Sequence, residues 1–157
     1  MARAPVDQLG GPNIAAFLDT IAVSEGTAGQ GDDGYNVLVG GGLFTSYAQH
    51  PNLLVTLRPG LRSTAAGRYQ FLFSTWTGLR AALGLPDFSP VSQDLACVEL
   101  LKQVGAYDLI VAGDVTDAIA RCNRTWASFP GSPYGQGTRP QASLLAAYAS
   151  AGGTMEA

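Results

Sequence analysis

Residues 13–27 read NIAAFLDTIAVSEGT, and this stretch decides how the chain folds. Apolar side chains return every three or four positions behind Asn13, a favoured capping residue, so the stretch predicts a helix of about three turns. The helix should end near Gly26, because glycine readily adopts the left-handed backbone that terminates helices. Glu25 therefore falls at the carboxyl end, where the helix dipole disfavours a negative charge. A carboxylate is seldom placed there for stability alone, which makes Glu25 a candidate for chemistry.

The rest of the chain changes character twice. Glycines and short β-branched runs between residues 26 and 70 predict a small, irregular β lobe. Helical patterns return after residue 74, and they predict helices over 74–83, 89–104, 114–126 and 140–152, with a Gly/Pro-rich loop over 130–140. A helix, a small N-terminal β lobe and a larger C-terminal helical lobe in this order indicate an α+β fold.

Length and composition indicate one folded domain. The chain has 157 residues, of which 46% are hydrophobic and 13% charged. This composition supplies a core and leaves little material for a solvating tail. We expect a single domain over residues 13–153, an N-terminal extension over residues 1–12 and a tail over residues 154–157.

Charge and residue usage exclude several classes of function. Nine basic residues face twelve acidic ones, for a net charge of −3, and the basic residues form no cluster that could track a nucleic acid. No run approaches the ~18 apolar residues that a membrane span needs, so we expect no stable membrane association. Cys97 and Cys122 have no metal-ligand spacing, and we expect no metal and no cofactor. Both cysteines are interpreted as reduced core residues, with a disulfide between them as the alternative.

Three aromatic rings are interpreted as structural. The single histidine, His50, stands beside a proline in a turn and has no orienting partner nearby in the sequence. Trp76 and Trp126 fall at helical spacing among apolar residues, which predicts core positions.

Only three glutamates are available for acid–base chemistry: Glu25, Glu99 and Glu156. Glu156 lies in the tail, and Glu99 reads as the solvent-facing residue of an apolar helix. Glu25 stands where a helix meets the β lobe, and burial there would raise its pKa toward the range of a general acid.

Several sequence blocks around Glu25 resemble a known family. Ser24-Glu25-Gly26-Thr27 and Ala66-Gly67-Arg68-Tyr69-Gln70 are the most specific of them. Others follow in the same order: FLD at 17–19, GYNVLVGG at 34–41, LFT at 43–45, HP at 50–51, LVTL at 54–57, DFSP at 87–90, SQD at 92–94, WAS at 126–128 and YGQ at 134–136. Over about residues 14–153 the chain is similar to the lambda-type endolysins, a family of peptidoglycan lytic transglycosylases. Residues 26–33 look shorter than in the family.

The resemblance implies a lysozyme-like fold with a cleft between the lobes. It also implies cleavage of the β-1,4 bond between N-acetylmuramic acid and N-acetylglucosamine in bacterial peptidoglycan, for lysis of the host cell. The family's catalytic glutamate matches Glu25, which would protonate the leaving oxygen and then take a proton from the C6 hydroxyl of muramic acid. The product would carry a 1,6-anhydro ring.

The same blocks imply the residues that bind the glycan. They carry amides and aromatic rings on turns or strand ends, which suit hydrogen bonding and stacking to sugars. The candidates are Tyr35, Asn36, Arg68, Tyr69, Gln70, Tyr134 and Gln136, with Tyr69 and Gln70 foremost.

Two alternatives stay open from the residues. A hydrolytic muramidase of the same fold would need a second carboxylate, for which Asp32 and Asp33 are the candidates. A lysozyme of the phage T4 type would carry an aspartate nine residues after the glutamate, where this chain has Gly34. A non-catalytic peptidoglycan-binding or virion module on the same scaffold is the other alternative, because a fold does not guarantee activity.

The setting of the reaction is also an expectation. The N-terminus carries no apolar signal-like stretch. We expect a monomer that accumulates in the host cytoplasm and reaches the wall after a separate holin permeabilises the membrane.

Overall fold

The computed structural model describes residues 1–134 and 137–156. Within them the elements follow the α+β order that the sequence predicts. The helices are α1 (Val6–Leu9), α2 (Pro12–Glu25), α3 (Phe73–Leu83), α4 (Pro90–Gln103), α5 (Tyr107–Ala112), α6 (Val115–Cys122) and α7 (Gln141–Ser150), and the strands are β1 (Val55–Arg58) and β2 (Leu61–Ser63).

Helix α2 lies at the centre of the helical lobe. Most of its apolar residues are buried although they point in nearly every direction, as expected of an interior helix, and Val23 is the exposed exception. It packs against α1, α4, α5 and α7. Phe17 meets the rings of Phe129 and Tyr148 edge-on, with centroids 6.2 and 6.5 Å away. The carboxyl end of α2, which carries Glu25, is therefore held by a well-packed core.

The β lobe is small and irregular, as predicted. Strands β1 and β2 form an antiparallel hairpin with a bulge between Thr56 and Arg58. Isolated bridges tie Val37 to Leu43 and Leu38 to Ala66, so backbone pairing holds the glycine-rich segment without a regular sheet.

Helix boundaries follow local chemistry where a cap is present. Helix α4 begins as predicted, because Ser89 accepts the Ser92 N–H and Pro90 takes the first helical position. Helix α6 ends at Cys122, short of the predicted Trp126, where the Asn123 and Thr125 N–H groups bond to carbonyls three residues back instead of four. Helices α1 and α5 were not predicted, because four and six residues are too few to show a period.

The first twelve residues are part of the domain, which corrects the prediction of an extension. Ala4 and Leu9 are only 4% and 1% exposed and belong to the core. The tail is docked as well: Thr154 donates its N–H to Asn13 and Glu156 donates its N–H to Gly113. None of the helices in the described part of the chain combines the length and the apolarity that crossing a bilayer requires.

Candidate active site

Glu25 is the last residue of α2. Gly26 follows it with φ +76°, and its N–H closes the helix onto the Ala22 and Val23 carbonyls. Because this left-handed conformation suits glycine, the chain turns sharply into the β lobe directly after the glutamate. Glu25 is partly buried at this turn, where the two lobes join.

Burial raises the pKa of Glu25 to about 7. A hydrogen bond from Ser128 and the positive charge of Arg139 act in the opposite direction, but burial outweighs both. A carboxyl with this pKa can hold a proton near neutral pH and can also release it, which a general acid or base must do.

Ser128 and Arg139 reach Glu25 from the far end of the chain. The hydroxyl oxygens of Ser128 and Ser24 lie 2.7 Å apart, so Ser128 is anchored to the residue before the glutamate. Arg139 donates its backbone N–H to the Ser128 carbonyl at 2.7 Å and its side-chain Nε–H to the Ser24 carbonyl at 3.2 Å. Ser128 and Arg139 are thereby fastened to each other and to the end of α2.

Asp32 is engaged elsewhere and is poorly suited to activate water. It accepts hydrogen bonds from both terminal nitrogens of Arg3, at 3.1 and 2.6 Å, and from the Tyr47 hydroxyl at 2.6 Å. These bonds lower the pKa of Asp32 to about 2, so the carboxylate is a weak base.

Asp33 is also engaged by hydrogen bonds and positive charges. Burial alone would raise its pKa, but bonds from the Met1 amino group and the Gly29 N–H, together with the charge of Arg68, lower it. The amino nitrogen of Met1 lies 2.7 Å from its Oδ2. Both aspartates thus stabilise the segment after Glu25.

Gly34 shows why a carboxylate nine residues after the glutamate does not fit here. Its φ is +90°, and a Cβ on this residue would stand 2.8 Å from the Thr27 Cβ and 2.9 Å from the Thr27 carbonyl oxygen. Thr27 is buried, and it cannot shift without breaking the hydrogen bond that its hydroxyl donates to the Arg68 carbonyl at 2.6 Å. A side chain at position 34 would therefore be strained and would clash.

Three of the predicted glycan contacts are buried, and for them the prediction of direct binding is wrong. Tyr35 and Tyr69 are 0% exposed and Arg68 is 1% exposed. Both tyrosine hydroxyls donate to Oδ1 of Asp94, at 2.8 and 2.5 Å, and Arg68 pairs with Asp19 at 2.9 Å. These side chains form a buried polar network under the site and have no surface to offer a sugar.

The other predicted contacts remain partly or fully accessible. Asn36 accepts the Asp32 N–H at 2.8 Å through its side-chain oxygen. Gln70 has φ +54° and uses its amide nitrogen on the Gly67 and Val37 carbonyls, at 2.8 and 3.2 Å. Tyr134 is 55% exposed and donates its hydroxyl to the Arg124 carbonyl. Gln136 lies outside the described residues.

His50 is structural, as the sequence indicates. Its Nε2 lies 2.8 Å from the Phe71 carbonyl oxygen, and its Nδ1 accepts the Asn52 N–H at 3.0 Å. The ring borders a surface cavity of about 810 Å³ against α3, and the lining of this cavity includes none of the predicted site residues.

Comparison with known proteins shows the family to which this chain belongs. The model of the endolysin family matches residues 15–155. The endolysin of Escherichia phage lambda is 50% identical over 144 residues, which are 89% of this chain and 91% of that protein. The endolysin of Escherichia phage P2 is 46% identical over 154 residues, 90% of this chain and 93% of that protein. The chain belongs to the endolysin family.

Solved structures confirm the lysozyme-like fold of this endolysin. The lysozyme of bacteriophage lambda complexed with a chitohexasaccharide superposes with a TM-score of 0.88 at 46% identity, covering 99% of this chain and 100% of that chain. A second structure of lysozyme from bacteriophage lambda gives a TM-score of 0.86 at 47% identity, over 93% of this chain and 97% of that chain.

Sequence reasoning missed the partners that define the endolysin site. Ser128 and Asp94 both lie in blocks that carried the resemblance, WAS at 126–128 and SQD at 92–94, and that position was the signal that could have found them. Arg139 had no local signal, because its contacts with Ser24 span 115 positions. Trp126, by contrast, is the predicted core anchor and donates its indole N–H to the Tyr69 carbonyl at 3.0 Å. Cys97 is a buried free thiol, as is Cys122.

Proposed function

We propose that this endolysin is a lytic transglycosylase that cleaves the β-1,4 bond between N-acetylmuramic acid and N-acetylglucosamine in peptidoglycan. The proposal rests on one observation: Glu25 is a partly buried carboxyl with a pKa of about 7, and the neighbouring aspartates are paired with cations. Within residues 1–134 and 137–156, the site therefore contains one carboxyl that can act first as an acid and then as a base. It contains no second carboxylate that is free to activate water.

The reaction needs only Glu25 to move protons. In its protonated form it donates to the glycosidic oxygen, and the bond between that oxygen and C1 of the muramic acid breaks. The C6 hydroxyl of the same sugar then bonds to C1 and passes its proton to the Glu25 carboxylate. The nucleophile is a hydroxyl of the substrate itself and is already held near C1, so no water has to be activated. The reaction therefore consumes no water.

The accessible polar residues are the proposed glycan contacts. Asn36, Gln70 and Tyr134 keep exposed surface, and Gln136 is proposed with them from the sequence alone. The chitohexasaccharide bound to the related lambda lysozyme supports a glycan as the ligand of this chain. Tyr35, Arg68 and Tyr69 are proposed to hold the site in shape from beneath.

Mass spectrometry of digested peptidoglycan tests the reaction type. We expect muropeptides that end in an anhydro ring and are one water lighter than reducing-end fragments. Reducing-end products would contradict the proposal and would favour the hydrolytic muramidase. An absence of products from folded protein would favour the non-catalytic wall-binding module.

Access to the wall through a separate holin stays a prediction. Expression of the chain alone in host cytoplasm should cause no prompt lysis until the membrane is permeabilised. Prompt lysis of cells with intact membranes would contradict it. The expected monomeric state is likewise untested.

A further inference from the structure

The carboxyl end of α2 has no positively charged side chain of its own. The Ala22 and Val23 carbonyls receive N–H groups from residues 26–28, and the last turn contains no basic residue. A helix end with free carbonyls favours a positive group that also donates hydrogen bonds. Arg139 meets this need, since its Nε–H donates to the Ser24 carbonyl at 3.2 Å.

Arg139 also lies across the turn that follows the glutamate. One terminal nitrogen of its guanidinium stands 3.5 Å from the point where a Cβ on Gly26 would lie. The same residue holds the Ser128 carbonyl through its backbone N–H, and the Ser128 hydroxyl is one of the groups that lower the pKa of Glu25. Arg139 thus bonds to the residue before Glu25, lies close to the residue after it and holds a serine that favours the Glu25 carboxylate.

We propose that Arg139 is a positioning residue for Glu25: it ties Ser128 to the carboxyl end of α2 and supplies the positive charge that stabilises the carboxylate once its proton has left. The inference rests on the proposed function, because a carboxyl that acts first as acid and then as base needs both forms to be accessible. Burial alone favours the protonated form, and Arg139 is the charged group in the described chain that acts against it.

The charge of Arg139 sets the direction of the expected change. A nearby positive charge favours the carboxylate, so its removal should raise the pKa of Glu25 further. Activity that requires protonated Glu25 is full below this pKa and falls as pH rises through it. The alkaline limb of kcat/KM should therefore move to higher pH in Arg139→Met, by about 0.5–1 unit, a shift moderated by the exposure of the arginine to solvent.

A carbon-13 NMR titration tests the proposal without relying on catalysis. The chain has only three glutamates, Glu25, Glu99 and Glu156, so glutamate-labelled protein gives three carboxyl signals, and Glu25→Gln identifies the one of interest. In Arg139→Met the Glu25 signal should titrate at higher pH than in the wild type. In Arg139→Lys, which keeps the charge and changes the hydrogen-bond geometry, it should titrate near the wild-type value while kcat falls and KM stays close to normal.

Arg80→Met is the matched control. Arg80 also donates its Nε–H to a carbonyl near a helix end, that of Leu85 after α3, and lies outside the site. It should leave the Glu25 titration and the alkaline limb unchanged. An unmoved Glu25 titration in Arg139→Met, or equal shifts in Arg139→Met and Arg139→Lys, would overturn the proposal. Reducing-end products would refute the transglycosylase alone, because the titration does not depend on which product forms.

Discussion

Glu25→Gln is expected to lower the lytic rate by at least about 1000-fold while the protein stays folded. The amide keeps the shape of the side chain but has no proton to give at neutral pH, and general acid–base catalysis contributes roughly 100- to 10,000-fold to a rate. Loss of the proton donor and the proton acceptor in a single residue places the effect toward the upper end.

Stability should move in the opposite direction to activity. The pKa of Glu25 is about 7 in the folded protein and 4.5 for the free group, so the native state binds more protons between these values. Folding stability therefore declines as pH rises from 4.5 to 7, and the ionised carboxyl costs about 1–3 kcal/mol above that range. The amide removes this cost, so the melting temperature of Glu25→Gln should equal or exceed that of the wild type at pH 8.

Turbidity of wall preparations and thermal melting measure the two effects. Glu99→Gln is the matched control, because Glu99 lies outside the site and accepts a hydrogen bond from Gln103 within α4, and it should keep both activity and stability. A variant at Glu25 that retains a tenth of the activity, or that melts well below the wild type, would show that the role of Glu25 is not acid–base chemistry.

Asp94→Asn is expected to destabilise the fold by about 3–5 kcal/mol, because hydrogen bonds to a buried carboxylate are lost and each buried polar group left unpaired costs roughly 1–3 kcal/mol. Asp94 is 0% exposed and accepts four hydrogen bonds. Two come from the Arg3 and Ala4 N–H groups, at 2.6 and 2.8 Å, and two from the Tyr35 and Tyr69 hydroxyls, at 2.8 and 2.5 Å. An amide replaces one accepting oxygen by a donor that faces other donors, which leaves buried polar groups unpaired.

Chemical denaturation compares this variant with two others. Asp117→Asn, on the exposed face of α6, should change stability by less than about 0.5 kcal/mol. Tyr35→Phe removes one of the four bonds and should cost about 1–2 kcal/mol. A loss below 1 kcal/mol in Asp94→Asn would mean that the network does not hold the N-terminal segment and the β lobe to α4.

The sequence determined those features that depend on neighbours within a few turns of the chain. The period of residues 13–25, the glycine after them and the Ser89-Pro90 cap are local signals, so α2, α4 and the position of Glu25 at a helix end could be predicted. The matched blocks around Glu25 predicted the family, which the comparisons confirm.

Only the tertiary structure decided which polar residues face the substrate and which lie beneath it. Tyr69 and Gln70 are adjacent in sequence, yet one is fully buried on Asp94 and the other stays accessible, because burial depends on what packs above each residue. For the same reason, the sequence did not reveal which residues surround Glu25. Ser128 lies 104 positions from Ser24, and no local pattern encodes the approach of two segments so far apart in the chain.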